Sequence, residues 1–164
     1  MIKKWEMQIE VHQNLQTLSS TWQHLWQKAT QSCENAYAPY SNFWVGVAIL
    51  LENNEIIEGV NQENAAYPSG LCAERVALFR AGIQFPHQKI KMMAIAARKA
   101  DNPQMLPVTP CGACRQVMIE FENKQKTPIQ VLFQGAESEY YIVDTTAHLL
   151  PLQFNASSLG LQTV

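Results

Sequence analysis

The residues most able to do chemistry in this chain are three cysteines and one glutamate in two short motifs. The motifs are Cys72-Ala73-Glu74-Arg75 and Pro110-Cys111-Gly112-Ala113-Cys114. Cys72, Cys111 and Cys114 are the donors of a catalytic zinc site, because three protein ligands leave the fourth coordination position of zinc open for water. Glu74, two residues after the first cysteine, is placed to act as the acid/base. The pattern predicts one zinc ion per chain.

Two predicted helices must bring these residues together. Cys111 and Cys114 are three residues apart, so they lie on one face of a helix that starts after Pro110, where proline is tolerated. Cys72 opens the other helix. Helix N-termini favour anions and lower the pKa of cysteine, which yields the thiolates that zinc binds. Two such helix starts facing each other would build the pocket, with Arg75 placed to donate hydrogen bonds to a thiolate and offset its charge.

Other interpretations of these residues carry less weight. A lone Cys-x-x-Cys could be a redox pair or half of a structural zinc site, but a structural site needs a fourth Cys or His ligand. The remaining cysteine, Cys33, lies in a predicted helix without a partner motif and is interpreted as a small core residue. Glu74 alone could be an ordinary acid at a helix N-terminus. The four histidines are scattered and form no ligand pattern: His12, His24, His87 and His148.

Composition and charge exclude several classes of protein. A length of 164 residues with 47% hydrophobic content is typical of one globular domain with a sizeable core, which we assign to residues 1–164. A net charge of −2 gives no indication of nucleic-acid binding. No apolar run is long enough to span a membrane, and the basic N-terminus lacks the apolar stretch of a secretory signal. Paired thiols without an export signal favour metal binding in a reducing cytoplasm.

Hydrophobic periodicity predicts an α/β domain of layered strands and helices. The first predicted helix begins after Ser19, Ser20 or Thr21 as a possible cap and ends near Ala36. The other predicted helices cover about residues 72–81 and 111–121, with a helical turn at 145–150. The predicted strands cover 43–51, 55–60, 90–97, 129–133 and 140–143. Trp5, Met7, Ile9 and Val11 alternate with polar residues, which predicts an extra strand within an N-terminal extension over residues 1–14.

Three further segments, together with the two cysteine motifs, resemble the cytidine deaminase family in its small homo-oligomeric form. The segments are Tyr37-Ala38-Pro39-Tyr40-Ser41-Asn42-Phe43 with Val45-Gly46, Asn61-Gln62-Glu63-Asn64-Ala65-Ala66-Tyr67-Pro68, and Leu149-Leu150-Pro151 with Phe154. The resemblance covers about Ser32 to Leu159, with departures at Trp44 and Val47. It implies a three-layer α-β-α sandwich with a mixed five-stranded sheet, assembled as a homo-oligomer, usually a tetramer, with a dimer as the alternative.

The resemblance also implies an activity and its site residues. The activity is the zinc-dependent hydrolysis of cytidine and deoxycytidine to uridine and deoxyuridine with release of ammonia, in pyrimidine salvage. The partner is thus a small pyrimidine nucleoside, with neither nucleic acid nor membrane involved. By position, Asn61 and Glu63 would bind ribose hydroxyls and Phe43 would pack on the base or sugar. The backbone at Ala73 would hold the base edge, and Phe154 would reach the pocket of a neighbouring subunit.

Two alternatives to this activity stay open. The first is a zinc deaminase for another nucleoside or base, such as a blasticidin-type nucleoside, which would share the core motifs. The second is a non-catalytic zinc-binding subunit, which would need a closed coordination site or a missing glutamate. Asn61 and Glu63 favour a ribose-bearing substrate, and Glu74 favours catalysis.

Overall fold

In the computed structural model, which describes residues 1–161, three α-helices pack against a mixed sheet of six strands. The helices are α1 (Ser20–Ser32), α2 (Ala73–Gln84) and α3 (Gly112–Gln125). The strands are β1 (Glu10–His12), β2 (Phe43–Leu51), β3 (Ile56–Val60), β4 (Ile90–Lys99), β5 (Gln130–Gln134) and β6 (Tyr140–Val143). The strand order is β1-β6-β5-β4-β2-β3, with β4 and β5 parallel and all other neighbours antiparallel.

Helices cover both faces of the sheet, which confirms the predicted three-layer arrangement. Helix α1 packs on one face, and α2 and α3 pack on the other. Val47 and Ile49 of β2 belong to the core under α2 and α3, whereas Ala48 and Leu50 belong to the core under α1. Successive side chains of a strand point to opposite faces, so a strand covered on both sides must be apolar throughout. The unbroken apolar run of β2 is explained by this double burial.

The predicted five-stranded sheet corresponds to β2–β6, and β1 adds a sixth strand at the edge beside β6. The alternation over residues 5–11 predicts a longer strand than the one that forms. Glu10 pairs with Ile142, so Ile9 would lie opposite Val143, the last residue of β6. Residues before Ile9 therefore have no neighbouring strand to pair with, and the strand begins at Glu10.

Local sequence accounts for the start of α1, whereas the helix ends differ from the prediction by a few residues. Ser19 caps α1, since its Oγ accepts a hydrogen bond from the Trp22 amide at 3.4 Å. The α-helix ends at Ser32, earlier than predicted, and continues as the 3₁₀ turn Cys33–Asn35. Helices α2 and α3 each run three to four residues beyond their predicted ends. None of the helices in residues 1–161 has the length and apolar character to cross a membrane.

Candidate active site

Helices α2 and α3 both begin at a cysteine, and they lie against each other under the sheet. Cys72 is the N-cap of α2, and Cys111 is the N-cap of α3. The Cys111 Sγ accepts a hydrogen bond from the Cys114 amide at 3.4 Å, which satisfies one free N–H of the first turn. The single thiol of Cys72 and the pair Cys111 and Cys114 are thus each positioned by the geometry of a helix start.

The three thiols predicted as ligands converge on one point. The Sγ atoms of Cys72, Cys111 and Cys114 all lie within 4.8 Å of one another. The distance is 3.8 Å between Cys72 and Cys111 and 3.3 Å between Cys111 and Cys114. Zn²⁺ bonds sulfur at about 2.3 Å, so sulfurs at these separations can surround a single ion. Within the described residues, no other group of three or more His, Cys, Asp or Glu side chains is gathered in this way.

Charge in the cluster is offset by Arg75. Three thiolates and a Zn²⁺ ion would sum to −1, so a neighbouring cation stabilises the site. The Arg75 Nη2 lies 3.8 Å from the Cys72 Sγ and also donates to the Gly70 carbonyl at 3.3 Å. Its Nε is buried without a hydrogen-bond partner among the described residues. The sequence analysis predicted this arginine as a donor to a thiolate, and that role stays a prediction.

The pKa values of Cys72 and Cys114 are shifted in opposite directions. Hydrogen bonding from the Cys114 thiol, with a further contribution from Arg75, lowers the pKa of Cys72 to about 5. The same interaction and burial raise the pKa of Cys114. A thiolate is therefore available at Cys72 near neutral pH, and thiolate is the form that binds a metal.

Glu74 is buried in the first turn of α2, with 4% of its surface exposed, and it borders the pocket beside the thiols. Burial raises the pKa of its carboxyl group, and the negative charge of Cys72 adds to this effect. A carboxyl group with a raised pKa holds a proton more readily near neutral pH than a free glutamate does. The environment thus suits a group that must both accept and release a proton.

An open pocket of about 810 Å³ lies in front of the thiols and Glu74. Predicted site residues that border it are Phe43, Asn61, Glu63, Cys72, Glu74, Arg75 and Cys111. A volume of this size accommodates a small molecule such as a nucleoside. The pocket is walled by the end of β3, the start of β2, the loop before α2 and the loop before α3.

Asn61 uses its side chain to join β3 to the start of β2. Its Oδ1 accepts from the Val45 amide at 2.9 Å, and its Nδ2 donates to the Phe43 carbonyl at 2.9 Å. These bonds continue the hydrogen-bonding pattern of the sheet and hold Phe43 at the pocket wall. One Nδ2 hydrogen is left for another acceptor, because an amide carries two. The sequence predicted contact with ribose and did not predict this positioning of β2.

Glu63 anchors the loop that precedes β2. Its carboxylate accepts from the amides of Tyr40 and Ser41 at 2.9 and 3.3 Å and from the Ser41 hydroxyl at 2.5 Å. The hydroxyl bond, followed by the amide bonds, holds the pKa of Glu63 below its usual value. Glu63 is consequently ionised near neutral pH and can accept further hydrogen bonds from a ligand.

Three predicted site residues do not border this pocket, and the buried ligand Cys114 is one of them. Ala73 is fully buried behind the start of α2, where its carbonyl would lie 2.8 Å from any Cβ at Gly59. Phe154 is 59% exposed, and its carbonyl accepts a hydrogen bond from Gln116 Nε2 of α3 at 2.7 Å. Phe154 is therefore free to contact another molecule but contributes nothing to the pocket of its own chain.

Several pocket residues were given no individual role from the sequence. They are Tyr40, Ser41, Gln62, Asn64, Tyr67, Gly70, Leu71, Val108 and Thr109, with Val45 at the start of β2. The Tyr40 and Tyr67 rings meet edge to face with centroids 5.9 Å apart at the pocket rim. Val108 and Thr109 directly precede Pro110, so proximity to the second cysteine motif was the available signal. Tyr40 and Tyr67 come from separate loops, and their pairing has no local signal.

Comparison with known protein families and curated sequences gives matches over most of the chain. The family model described as the cytidine and deoxycytidylate deaminase zinc-binding region matches residues 19–129. A cytidine deaminase from Halalkalibacterium halodurans is 39% identical over 138 residues, which cover 84% of this chain and 97% of that protein. A cytidine deaminase from Sporosarcina psychrophila is 40% identical over 127 residues, which cover 77% of this chain and 86% of that protein.

Solved structures give the same result. The crystal structure of cytidine deaminase from Burkholderia pseudomallei superposes with a TM-score of 0.68 at 34% identity, covering 84% of this chain and all 100% of that one. Cytidine deaminase from Mycobacterium tuberculosis superposes with a TM-score of 0.63 at 28% identity, covering 84% of this chain and 99% of that one. The similarity therefore extends from the two cysteine motifs to the whole arrangement of helices and strands.

Proposed function

Because the chain belongs to the cytidine deaminase family, we propose that it hydrolyses cytidine and deoxycytidine to uridine and deoxyuridine with release of ammonia, in pyrimidine salvage. The observation that carries this proposal is the convergence of three thiols beside a buried carboxyl group at a pocket of nucleoside size. Membership of an enzyme family and the presence of Glu74 speak against a non-catalytic zinc subunit.

The metal of this family region is zinc, and we assign Cys72, Cys111 and Cys114 as its ligands, with one ion per chain. When bound, zinc supplies an acidified water that is nucleophilic near neutral pH. Three thiols would hold the ion and leave its fourth coordination position for a water, which is the ligand number of a catalytic site. Arg75 stabilises the negative charge of the ligand set through the Cys72 sulfur.

Glu74 is the proton carrier of the proposed mechanism. Its carboxylate takes a proton from the attacking water, and the protonated carboxyl then delivers this proton to N3 of the pyrimidine ring. Protonation at N3 makes C4 more electrophilic, so the attack on C4 is completed. The carboxylate then takes the remaining proton from the hydroxyl group added at C4 and passes it to the exocyclic amino group. The C4 carbonyl forms as the C–N bond breaks, and ammonia leaves. One residue acts as base and then as acid, which requires a pKa closer to neutrality than that of a free glutamate.

The remaining pocket residues orient the substrate in this proposal. Asn61 and Glu63 lie two residues apart after β3, and both border the pocket, so each can meet a ribose hydroxyl. Phe43 borders the pocket at the start of β2 and would pack against the base or the sugar. The side chain of Ala73 is buried away from the pocket, so only its backbone at the start of α2 beside Glu74 would read the base edge.

We further propose that the catalytic unit is one domain over residues 1–164 that works as a homo-oligomer, with a tetramer favoured over a dimer. The exposed side chain of Phe154 supports a role in the pocket of a neighbouring subunit. A cytoplasmic location is proposed because the thiol ligands require a reducing environment. Nucleic acid and membrane are not proposed as partners, given the net charge of −2.

The direct test is the change in ultraviolet absorbance when purified protein of known zinc content is mixed with cytidine. We expect conversion to uridine with release of one equivalent of ammonia, and no conversion by Glu74→Gln at equal zinc content. Deoxycytidine, a blasticidin-type nucleoside and free cytosine form the comparison panel. Conversion of another panel member with no reaction on cytidine would move the assignment to a different deaminase. Inactivity of the zinc-loaded protein on the whole panel would refute it.

A further inference from the structure

Arg115, the residue directly after Cys114, connects the cysteine motif of α3 with the C-terminal segment of the chain. Its Nε donates to the Pro110 carbonyl at 2.7 Å, and its Nη1 donates to the Leu149 carbonyl at 3.1 Å. Its own amide donates to the Cys111 carbonyl at 2.9 Å. The guanidinium therefore binds the carbonyl that precedes Cys111 and a carbonyl 34 residues further along the chain, while the backbone amide of Arg115 binds the carbonyl of Cys111.

These bonds restrict the position of Cys111. A peptide unit is planar, so a bond that holds the Pro110 oxygen also sets the direction of the Cys111 amide and the position of its Cα. The bond from the Arg115 amide holds the following peptide unit in the first turn of α3. The Cys111 side chain is exposed at the helix start and is constrained mainly through its backbone. The bond that the guanidinium contributes to this restraint is the one to the Pro110 carbonyl.

The third bond connects this position to the C-terminal segment. Pro110 and Leu149 are both buried, so loss of the guanidinium would leave two carbonyl oxygens without their donor in poorly hydrated surroundings. Next to Arg115, Gln116 donates to the Phe154 carbonyl at 2.7 Å, and Asn123 donates to the Gln153 Oε1 at 2.8 Å. The segment of residues 149–154 is thus held along α3 by side chains of this helix, two of which, Arg115 and Gln116, directly follow Cys114.

We infer that Arg115 is a positioning residue that preorganises Cys111 for the metal and makes zinc retention depend on the docked segment 149–154. This inference rests on the proposed role of Cys111 as a zinc ligand. Arg115 differs in action from Arg75, which faces a ligand sulfur directly, because the Arg115 guanidinium acts on the peptide unit that precedes Cys111. A single planar guanidinium can reach two carbonyls at once, whereas a lysine ammonium has no such fork.

The test is the rate at which zinc passes from the loaded protein to a chromogenic zinc chelator, measured for wild type, Arg115→Gln and Arg115→Lys. The matched control is Arg80→Gln, since Arg80 on α2 also donates to a backbone carbonyl, that of Glu58 at 3.1 Å, away from the thiols. We expect roughly 10-fold faster release for Arg115→Gln. Arg115→Lys should release zinc at an intermediate rate, and Arg80→Gln at the wild-type rate.

A second readout separates positioning from general stability. The charge-transfer and ligand-field bands of the Co²⁺-substituted protein report the geometry around the sulfurs, and we expect them to shift in Arg115→Gln but not in Arg80→Gln. Wild-type release rates and wild-type Co²⁺ spectra in both Arg115 variants, with only a lower melting temperature, would overturn the inference. If Arg115→Gln does not fold, Arg115→Lys decides by the same two measurements.

Failure of this inference is distinguishable from failure of the proposed function. A wild-type protein that binds zinc but does not deaminate cytidine contradicts the substrate assignment, while the release rates still test Arg115. A wild-type protein that binds no zinc contradicts both.

Discussion

Glu74 combines burial with a position beside three thiols, and both conditions arise from its place in the first turn of α2. A glutamate at a solvent-exposed helix start would keep an ordinary pKa and could not hold a proton near neutral pH. Here burial raises the pKa, and the neighbouring thiolate opposes ionisation further. The chemistry of this residue is therefore created by its surroundings rather than by its type.

Replacing Glu74 by Gln should lower kcat by a factor on the order of 10² to 10⁴, because an amide neither accepts nor releases the transferred proton. Zinc content and folding should be unchanged, since the amide fills the same space. Steady-state kinetics with metal analysis of the same sample provide the measurement. Turnover near that of the wild type would contradict the proposed proton carrier.

Replacing Cys111 by Ala should abolish stoichiometric zinc binding and lower the melting temperature, because metal binding and folding are coupled. Cys33→Ala is the matched control, since Cys33 is buried in the core under α1 and its Sγ donates to the carbonyls of Ala29 and Ala96, away from the thiol cluster. Its zinc content should equal that of the wild type. A metal-replete, active Cys111→Ala protein would remove Cys111 from the ligand set.

At the scale of elements, the close approach of α2 to β3 sets the position of the site. A Cβ atom at Gly59 of β3 would lie 2.4 Å from the Ala77 nitrogen and 2.8 Å from the Ala73 carbonyl oxygen. Both contacts are with helix backbone, which cannot rotate away. The absence of a side chain at Gly59 therefore brings α2, with Cys72 and Glu74 at its start, to the distance at which the thiols converge.

Gly59→Ala should destabilise the fold by roughly 1–3 kcal/mol, as overpacking of a tight contact does, and should reduce activity because α2 must shift. Gly112→Ala is the control, since a Cβ atom there would have no neighbour within 4 Å and alanine favours the helix. Denaturant unfolding of both variants measures the difference. Equal stability of Gly59→Ala and wild type would refute the packing argument.

Glu122 of α3 is a second point where one side chain fixes several elements. Its buried carboxylate accepts hydrogen bonds from the Ile129 amide at 2.9 Å and from the Thr146 amide and hydroxyl at 2.8 and 2.9 Å. The Thr145 hydroxyl donates to its other oxygen. All these partners donate to the carboxylate. Because they lie just before β5 and in the turn after β6, the carboxylate joins α3 to both segments.

Glu122→Gln should destabilise the protein by roughly 3 kcal/mol, because the new NH₂ group replaces an acceptor and faces other donors. Glu120→Gln removes the same charge from an exposed position two residues away and should change stability by less than about 0.5 kcal/mol. Chemical denaturation of the two variants side by side provides the comparison. An equal loss of stability in both variants would show that the change in net charge, and not the buried hydrogen bonds, causes it.

At the scale of the whole molecule, the two cores on either side of the sheet have different roles. The core under α2 and α3 includes Cys114 and supports the site, whereas the core under α1 contains Trp22, Trp26 and Cys33 and has no pocket residue. The α1 layer therefore contributes stability without touching the chemistry. Changes in this layer should alter unfolding while kcat for the folded protein stays constant.

Stability should fall at high pH because of Cys33. Burial raises the pKa of this thiol to about 11, whereas an unfolded cysteine ionises near 8.5. Between these values the unfolded chain has lost a proton that the folded chain keeps, so the free energy of unfolding decreases by roughly 1 kcal/mol per pH unit. The contribution is fully present below about pH 8.5 and is lost as pH approaches 11.

Unfolding of zinc-loaded wild type and Cys33→Ala, measured from pH 7 to pH 11, isolates this contribution as the difference between the two slopes. All other titrating groups are common to both proteins and cancel. The variant should be less stable than the wild type at pH 7 because it loses packing, and the gap should narrow as pH rises. Parallel pH profiles would show that the thiol ionises equally in both states.

The sequence alone determined the properties that depend on near neighbours in the chain. Periodicity predicted the three helices and the strands β2–β6 to within a few residues, and the cysteine motifs identified the thiol cluster and Glu74. Ser19 as a possible helix cap was also recognisable. These features follow from side-chain spacing, cap chemistry and donor type, which are local physical properties.

Tertiary structure decided everything that depends on contact between distant segments. The length of β1 depends on where β6 ends, and the roles of Asn61 and Glu63 in holding residues 40–45 depend on the pairing of β2 with β3. The bond from Arg115 to Leu149 likewise joins segments 34 residues apart that no local pattern relates. Their free energy comes from burying and pairing groups brought together only by the packed fold, so no stretch of sequence specifies them by itself.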